Sequence, residues 1–577
     1  MIEFARRNGV PQCTLADYEV HFADRHRIQD AVAKWAAEIP DSPAVINADT
    51  GRALTWRDLD RSSTALAIHL LETGFRKGDF FAACLPLLNE HIVLEYACFK
   101  IGVIHVPLDL RLPAQEVLRC LALIRPRGFA FLGATPAADF RELGRAVMAH
   151  CPSVEYFLQF SAPEDTIPGA DCGSRLAASL AARALSPELL AFYRAAAGEV
   201  GEYDGAQVIF TTGSTGLPKP ALLSHRGITC QNLCLGAGGE FTERTRMLLN
   251  LPASHVGGQS EILMTTLFWG GVVITLHVFD PARSLRAIQE HRVNKLGQIP
   301  AMYNLEWRLA GYRDFDLSTL DLAVYGGQQV PPPFLEALAA MAPRFGTGLG
   351  LTEASGFCTF TAMTADISAV SGTLGYDMPV YPMTIRAPIK ADGSAGDILP
   401  DGDIGHVCFQ GPQTFLGYVG DPAATARTLS TDNVLYTGDM GFQDQRGLHL
   451  AGRARWIIKP AGYQVFPGQV EDHFSALSEK VAACGVVGVE HAVFSEAIVA
   501  FVEKRPGADL PVAELRRHAR TLASYMRPLH YVVLEPGGLP LNRVAKTDYM
   551  RLSEMAQAEV QRLRARRRWD KQPSALQ

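Results

Sequence analysis

The chain has no Cys-x-x-Cys pair among its 11 cysteines. That absence argues against a zinc ribbon or a disulfide framework and predicts reduced thiols. No uninterrupted apolar run reaches the length of about 18 residues that a membrane helix needs. The opening stretch, "MIEFARRNGV", lacks the apolar core of a signal peptide, and the final "ALQ" is not a peroxisomal address. Net charge is only −6, which gives no electrostatic reason to expect nucleic acid as a partner. One dense basic run, "RLRARRR" (562–568), reads first as a solvated helix end, with contact to acidic phospholipid or a phosphorylated cofactor as the alternative. Internal repeats and low-complexity linkers are absent too. Together these absences predict a cytoplasmic protein without a membrane span.

What is present describes a globular protein of more than one domain. Hydrophobic residues make up 48% and charged residues 20% of 577, too long a chain for one core. Helical spacing ending at glycine marks 58–74, and a second helix is expected over 89–102. Between and after them, "DFFAACLP" (79–86) and "VIHVPLD" (103–109) read as buried strands. This alternation predicts an α/β fold with a mostly parallel sheet covered on both faces. Residues 161–205 are Ala-rich and poor in strand formers, so a helical surface excursion is expected. Near 450 the texture changes to short strands ("ACGVVGVE", "AIVAFVEK") and a helix over 512–525. That pattern predicts a small α+β lobe of roughly 110–125 residues.

The stretch "TTGSTGLPKP" (211–220) is the first candidate site. It is not a Walker A loop, because only Ser214 and Thr215 separate Gly213 from Gly216, and prolines flank Lys219. Apolar runs on both sides, 206–210 and 221–225, make it a loop between two short strands. Glycines let backbone N–H groups curl around an anion, hydroxyls add neutral donors, and the lysine adds charge. A plain hairpin turn built from small residues has the same composition, so this loop alone decides nothing.

Further segments follow in a set order: "LPASHVGG" (251–258), "VYGGQQVP" (324–331), "GLGLTEASG" (348–356), "GDIGHVCFQGPQTFLGY" (402–418), "LYTGDMG" (435–441), "GRARWIIKPAGYQVFPGQVE" (452–471) and "LPLNRVAKTDY" (539–549). With the opening loop, and with 54–60 and 106–113, this series resembles the acyl-adenylate-forming superfamily of acyl-CoA synthetases, adenylation domains and luciferases, over about 25–555 of the chain. The resemblance implies a large N-terminal multi-lobed α/β domain, residues 1–452, that binds AMP and the acyl group. It also implies a small mobile α+β C-terminal domain, residues 453–577, that carries a catalytic lysine.

The resemblance further implies the chemistry. A carboxylate attacks the α-phosphorus of ATP to give acyl-AMP and pyrophosphate, and a thiol then takes the acyl group. Two anions must meet, so fixed positive charge and backbone donors should carry catalysis. Thr211, Thr212, Gly213, Ser214, Thr215, Gly216 and Lys219 correspond to the pyrophosphate clamp. Gly326, Gly327 and Gln328, with Gly348, Leu349, Gly350 and Leu351, correspond to the adenine side. Thr352 is expected on the α-phosphate, Glu353 on Mg²⁺, Asp439 on the ribose hydroxyls with Arg453 assisting, and Lys546 between the two reacting anions. Arg455 matches the hinge, while Lys459 and Gly462 fall in the same crossover segment, on the path of coenzyme A. Taken singly, Asp439 could be a turn aspartate, Glu353 a helix N-terminal carboxylate, Lys546 a solvated lysine and Arg453 half of a surface ion pair.

Substrate class is written at His255. Amino-acid-selecting relatives place an aspartate there to pair with the α-ammonium, and a buried ammonium without a countercharge is costly. A histidine implies an acid without an α-amine, of aryl, alicyclic or short to medium acyl type; a core histidine bonded to a carbonyl is the other reading. Four positions depart from the family's usual residues: Leu349 stands for an aromatic, Pro220 and Ala545 for glycines, and Ala461 for a lysine. Three functions remain open at this point: a ligase using free CoA, an enzyme loading a separate carrier protein, and a non-catalytic nucleotide- or acyl-binding relic. Monomer and homodimer are both open.

Overall fold

Two largely parallel sheets frame the large domain. The computed structural model describes residues 3–136, 138–212, 218–327, 330–453, 456–460, 465–542, 546–566 and 568–569. The first sheet runs, from edge to edge, through Gly417–Tyr418, Pro218–Ser224, Gly205–Thr212, Ile104–Pro107, Phe80–Cys84, Gly128–Leu132, Tyr156–Phe160 and Asp171–Cys172. Its centre is parallel, and only the strands at the Gly417–Tyr418 edge pair antiparallel. The second sheet is ordered 344–346, 322–325, 295–298, 246–249, 272–275, 43–47 and 53–55, with one antiparallel pair at its end. Central strands such as "FFAAC" and "VVIT" are buried almost throughout, as strands covered on both faces must be.

Helices Trp56–Glu72 and Asn89–Lys100 form where the periodicity predicts them. Thr55 caps the first, its hydroxyl accepting from Asp58 N–H while Asp58 reaches back to the Thr55 N–H. The 161–205 excursion is helical, with Gly173–Ala182 and Pro187–Ala197 packed against Trp56–Glu72, apart from one short strand at the sheet edge.

A third unit begins earlier than the sequence texture suggests. Met383–Arg386, Gly405–Phe409, Leu435–Asp444 and Gly447–Arg453 form an antiparallel sheet. Strand 435–444 contains Gly438, Gly441 and two aspartates, poor strand formers that hide it from propensity. The small lobe is a three-stranded sheet (Val481–His491, Ser495–Lys504, His530–Leu534) flanked by Pro467–Ser475, Val512–Ala519 and Tyr549–Ala565. Helix 512 stops at Ala519, short of the expected 525, because the Thr521 hydroxyl donates to the His518 carbonyl at 2.7 Å and closes its last turn. The basic run ends the last helix. Arg564 donates to the Glu490 carbonyl, and Trp569 is buried beside His491.

Candidate functional site

The predicted phosphate loop sits at the tip of an antiparallel hairpin, Gly205–Thr212 with Pro218–Ser224, in which Thr211 lies opposite Lys219. Positions 213–217, which hold Gly213, Ser214, Thr215 and Gly216, lie outside the described residues, as does the side chain of Thr212. Pro220 costs this hairpin nothing. Its carbonyl accepts from Val419 N–H at 2.9 Å, on the side away from Gly205–Thr212. An N–H at that position would point the same way, and the ladder to Gly417–Tyr418 starts only at Ala221.

One side chain ties the hairpin to the next motif. The Tyr418 hydroxyl donates to Glu353 Oε1 at 2.5 Å, and the Lys219 ammonium stands 5.1 Å above the centre of the same ring. Glu353 belongs to a tight turn, Thr352–Ala354, that ends at Ser355 in the left-handed region (φ +60°). Beyond Tyr418, its carboxyl makes no hydrogen bond or ion pair among the described residues. Phe415 N–H holds the Glu353 carbonyl at 2.9 Å, so the edge of the first sheet and this turn are locked together. Tyr418 was not singled out from the sequence, although the segment containing it was. A tyrosine after glycine in a short strand carries no local mark of that role.

Lys219, Thr352, Glu353, Asp439, His255 and Lys546 all line one cleft of about 2650 Å³ between the large domain and the small lobe. Thr211, Gly326, Gly327, Gly350 and Leu351 line it too. Asp439 is buried on strand Leu435–Asp444, directly opposite Arg453 in the antiparallel register; the Arg453 side chain is outside the described set. Lys546 comes from the small lobe on a loop closed in both directions. Its N–H donates to Asn542 Oδ1 at 3.0 Å, and Asn542 N–H donates to its carbonyl at 2.7 Å. The loop brings Lys546 against Gly327, where a β-carbon would lie 3.5 Å from Cε and 3.9 Å from Nζ. Gly327 adopts φ +93°, which strains any side chain there, while the lysine itself stands at ordinary contact distance.

His255 is exposed to the cleft. Gly257 N–H donates to its Nδ1 at 3.0 Å, which leaves the proton on Nε2. Desolvation, and then the Lys546 ammonium, push its pKa down to about 4. The ring is therefore neutral near pH 7, and it is not the carbonyl-bonded core histidine of the alternative reading.

Three predicted positions are placed differently from expectation. Leu349 is only 9% exposed, packs in the main core and does not line the cleft. Its own backbone directs it inward, since its N–H bonds Thr359 Oγ1 and its carbonyl accepts from Cys358 and Thr359. Gly348 is a packing glycine, where a β-carbon would lie 1.9 Å from the Thr359 carbonyl oxygen. Lys459 is exposed and away from the cleft, its N–H held by Glu496 Oε2. Gln328, Arg455, Ala461, Gly462 and Ala545 lie outside the described residues.

Two cleft residues escaped the sequence reading. Trp456 lines the cleft from the small lobe and stacks on Tyr549, whose hydroxyl donates to Glu471 at 2.7 Å. Glu261 lines it from Gly257–Met264, a segment wound as a π-helix in which Glu261 N–H reaches back five residues to the Val256 carbonyl. Such windings recur at functional sites, and the Gly-Gly pair at its start is the only sequence trace of it.

The comparisons agree with this arrangement. The family model described as AMP-binding enzyme matches residues 32–419, and that described as AMP-binding enzyme C-terminal domain matches 469–546. A 3-[(3aS,4S,7aS)-7a-methyl-1,5-dioxo-octahydro-1H-inden-4-yl]propanoyl:CoA ligase of Mycobacterium tuberculosis is 29% identical over 540 residues, covering 92% of this chain and 99% of its own. A feruloyl-CoA synthase of Amycolatopsis is 29% identical over 488 residues, covering 83% and 89%. In fold, the chain is similar to ATP-bound MatB from Rhodopseudomonas palustris, with a TM-score of 0.76 at 24% identity over 92% of this chain and 99% of that one.

Proposed function

The chain belongs to the AMP-binding enzyme family, and from that membership we propose a carboxylate–CoA ligase that activates an acid lacking an α-amine as its acyl-AMP and then transfers the acyl group to CoA. The observation that carries the reading is the convergence of Lys219, Glu353, Asp439 and Lys546, drawn from four separate segments and two domains, on one cleft beside a neutral His255. The names of the curated relatives support free CoA as the thiol over a carrier protein.

In this reading Lys219 and the donors of its hairpin hold the leaving pyrophosphate. Thr352 bonds the α-phosphate, and Asp439 accepts from the ribose hydroxyls. Lys546, held by Asn542, offsets the charge that builds as the acid's oxygen approaches phosphorus. Glu353 fits Mg²⁺, because one carboxylate suffices for an ion held mainly by phosphate oxygens and water. When bound, that ion supplies charge neutralisation at the phosphates. Tyr418 keeps Glu353 and Lys219 in fixed relation without joining them in an ion pair. His255, lacking charge, leaves the acyl side of the cleft without a partner for an ammonium on the α-carbon. The division at 452/453 is part of the same proposal, and it falls one residue before the end of the last strand of the antiparallel sheet, Gly447–Arg453.

The test is pyrophosphate release across a panel of carboxylic acids, with and without CoA. Acid-dependent release, with free CoA consumed, is the expected result. Release without thioester, unless a phosphopantetheinylated carrier is supplied, would move the reading to a carrier-loading enzyme. Binding of ATP with no release from any acid would leave only a relic.

A further inference from the structure

Glu261 is the single residue of the π-wound segment Gly257–Met264 that is not buried. Its polar neighbours on that segment bond within the protein, although the buried Gln259 Oε1 has no partner among the described residues. Gln259 Nε2 donates to the Ala253 carbonyl at 2.8 Å, and the Ser260 hydroxyl donates to the Ser355 carbonyl at 2.6 Å. The Glu261 carboxyl has no hydrogen bond and no ion pair among the described residues, and it is turned into the cleft. Three glycines make room for it. A β-carbon on Gly350 would lie 3.0 Å from Oε1, one on Gly257 3.4 Å from Oε2, and one on Gly356 2.9 Å from Cγ. The Gly257 position is also 3.1 Å from His255 Nδ1, so the carboxyl stands beside the histidine that marks the acyl side of the cleft.

A carboxyl that a bound acid covers in this way is unfavourable unless something bonds it. A purely alkyl or unsubstituted aryl acid would strip away the water it holds and return nothing. We infer that the acid taken by this site carries a hydroxyl or amino group whose hydrogen bond the Glu261 carboxyl accepts. This inference rests on the ligase reading and narrows it from any acid without an α-amine to those with a second polar group. Desolvation raises the group's pKa to about 8, the Lys546 ammonium opposing the rise, so near pH 7 the carboxyl is mostly protonated and its carbonyl oxygen is the acceptor a ligand donor meets. Sites built to bond a substrate hydroxyl or amine reject the analogue that lacks it far more strongly than apolar pockets reject a missing methylene.

The experiment compares matched acids in pyrophosphate release: benzoic, cinnamic and cyclohexanecarboxylic acids, each with its ring-hydroxylated, ring-amino and O-methyl counterparts. In the native enzyme at least one hydroxy or amino acid should exceed its unsubstituted parent in kcat/KM by about tenfold or more, and its O-methyl ether should fall back to the parent. Glu261→Leu should bring the pair to within roughly threefold of each other, by losing rate with the donor-bearing acid alone. Glu261→Gln, which keeps an acceptor oxygen and the shape, should retain an intermediate preference. Equal turnover of hydroxy acid, ether and parent by the native enzyme overturns the inference while the ligase reading stands. So does a preference that survives in Glu261→Leu. Release from no acid at all overturns the ligase reading, and this inference with it.

Discussion

The chemistry rests on few side chains, and Tyr418 is the one on which others depend. Its hydroxyl holds Glu353 at 2.5 Å and its ring lies under Lys219. Tyr418→Phe removes the first link and keeps the second. A hydrogen bond to a charged group is worth about 1.5–3 kcal/mol, so acyl-AMP formation should slow by about tenfold to a hundredfold. The Mg²⁺ concentration for half-maximal pyrophosphate release should rise as well. Loss of thermal stability with an unchanged Mg²⁺ profile would mean that Tyr418 is only a packing residue. Leu349 argues in the opposite direction. As an adenine-stacking position it would welcome an aromatic, but it is a core residue here. Leu349→Tyr should therefore overpack the core and cost about 1–3 kcal/mol of stability, read by denaturant unfolding, without tightening ATP binding. That Lys219, Glu353, Asp439 and Lys546 line one cleft was legible in the order of their segments along the chain. Leu349 was misread because motif position does not say which way a side chain turns, and Glu261 was missed because its role depends on a local π-winding.

Among elements, the hairpin that presents Lys219 shows how a rule-breaking residue can be harmless. Pro220 sits inside a seven-residue strand, yet its absent N–H faces away from Gly205–Thr212, so the hairpin's own ladder loses no bond. Proline also narrows the unfolded ensemble. Pro220→Gly, which restores the family's usual residue, should destabilise the protein by about 0.4–1 kcal/mol, measured by urea unfolding, while leaving Thr211 opposite Lys219. The strands 205–212 and 218–224, the helices at 56 and 89, and the strand–helix alternation around them could all be read from periodicity. The antiparallel sheet that carries Asp439 could not. Gly438 and Gly441 break its pattern, and register shifts in both pairings of strand Leu435–Asp444 show a ladder held by long-range partners rather than by local preference.

At the scale of the whole molecule, the small lobe places Lys546 against Gly327 of the large domain, where the proposed first half-reaction needs it. Lys546→Ala should abolish acyl-AMP formation yet largely spare thioester formation from supplied acyl-AMP. Equal loss in both would argue that the lobe does not move between the two steps. Stability should also respond to pH through buried groups. Burial raises Glu306 and Glu471 to about 7 from 4.5 and lowers His91 to about 4 and His225 to about 3 from 6.5. The two carboxyls favour the fold when protonated, so stability is lost as pH rises from 4.5 through about 7. The two histidines favour it when neutral, so stability is lost as pH falls from 6.5 toward 3. The thermal midpoint should peak between about pH 4.5 and 6.5; a midpoint still climbing at about pH 8 would contradict this.

Tyr418 occupies a strand of two residues, fixed to the hairpin by Leu222 opposite Gly417 and Ala221 opposite Tyr418. Because side chains alternate along a strand, a one-residue slip of this pairing, as from a changed length of the run 411–417, would turn the phenol to the other face, and Glu353 and Lys219 would lose their common support together. Descent with insertions and deletions should accordingly keep that run at constant length, while the exposed turn around Asp392, which positions nothing in the cleft, is free to grow or shrink.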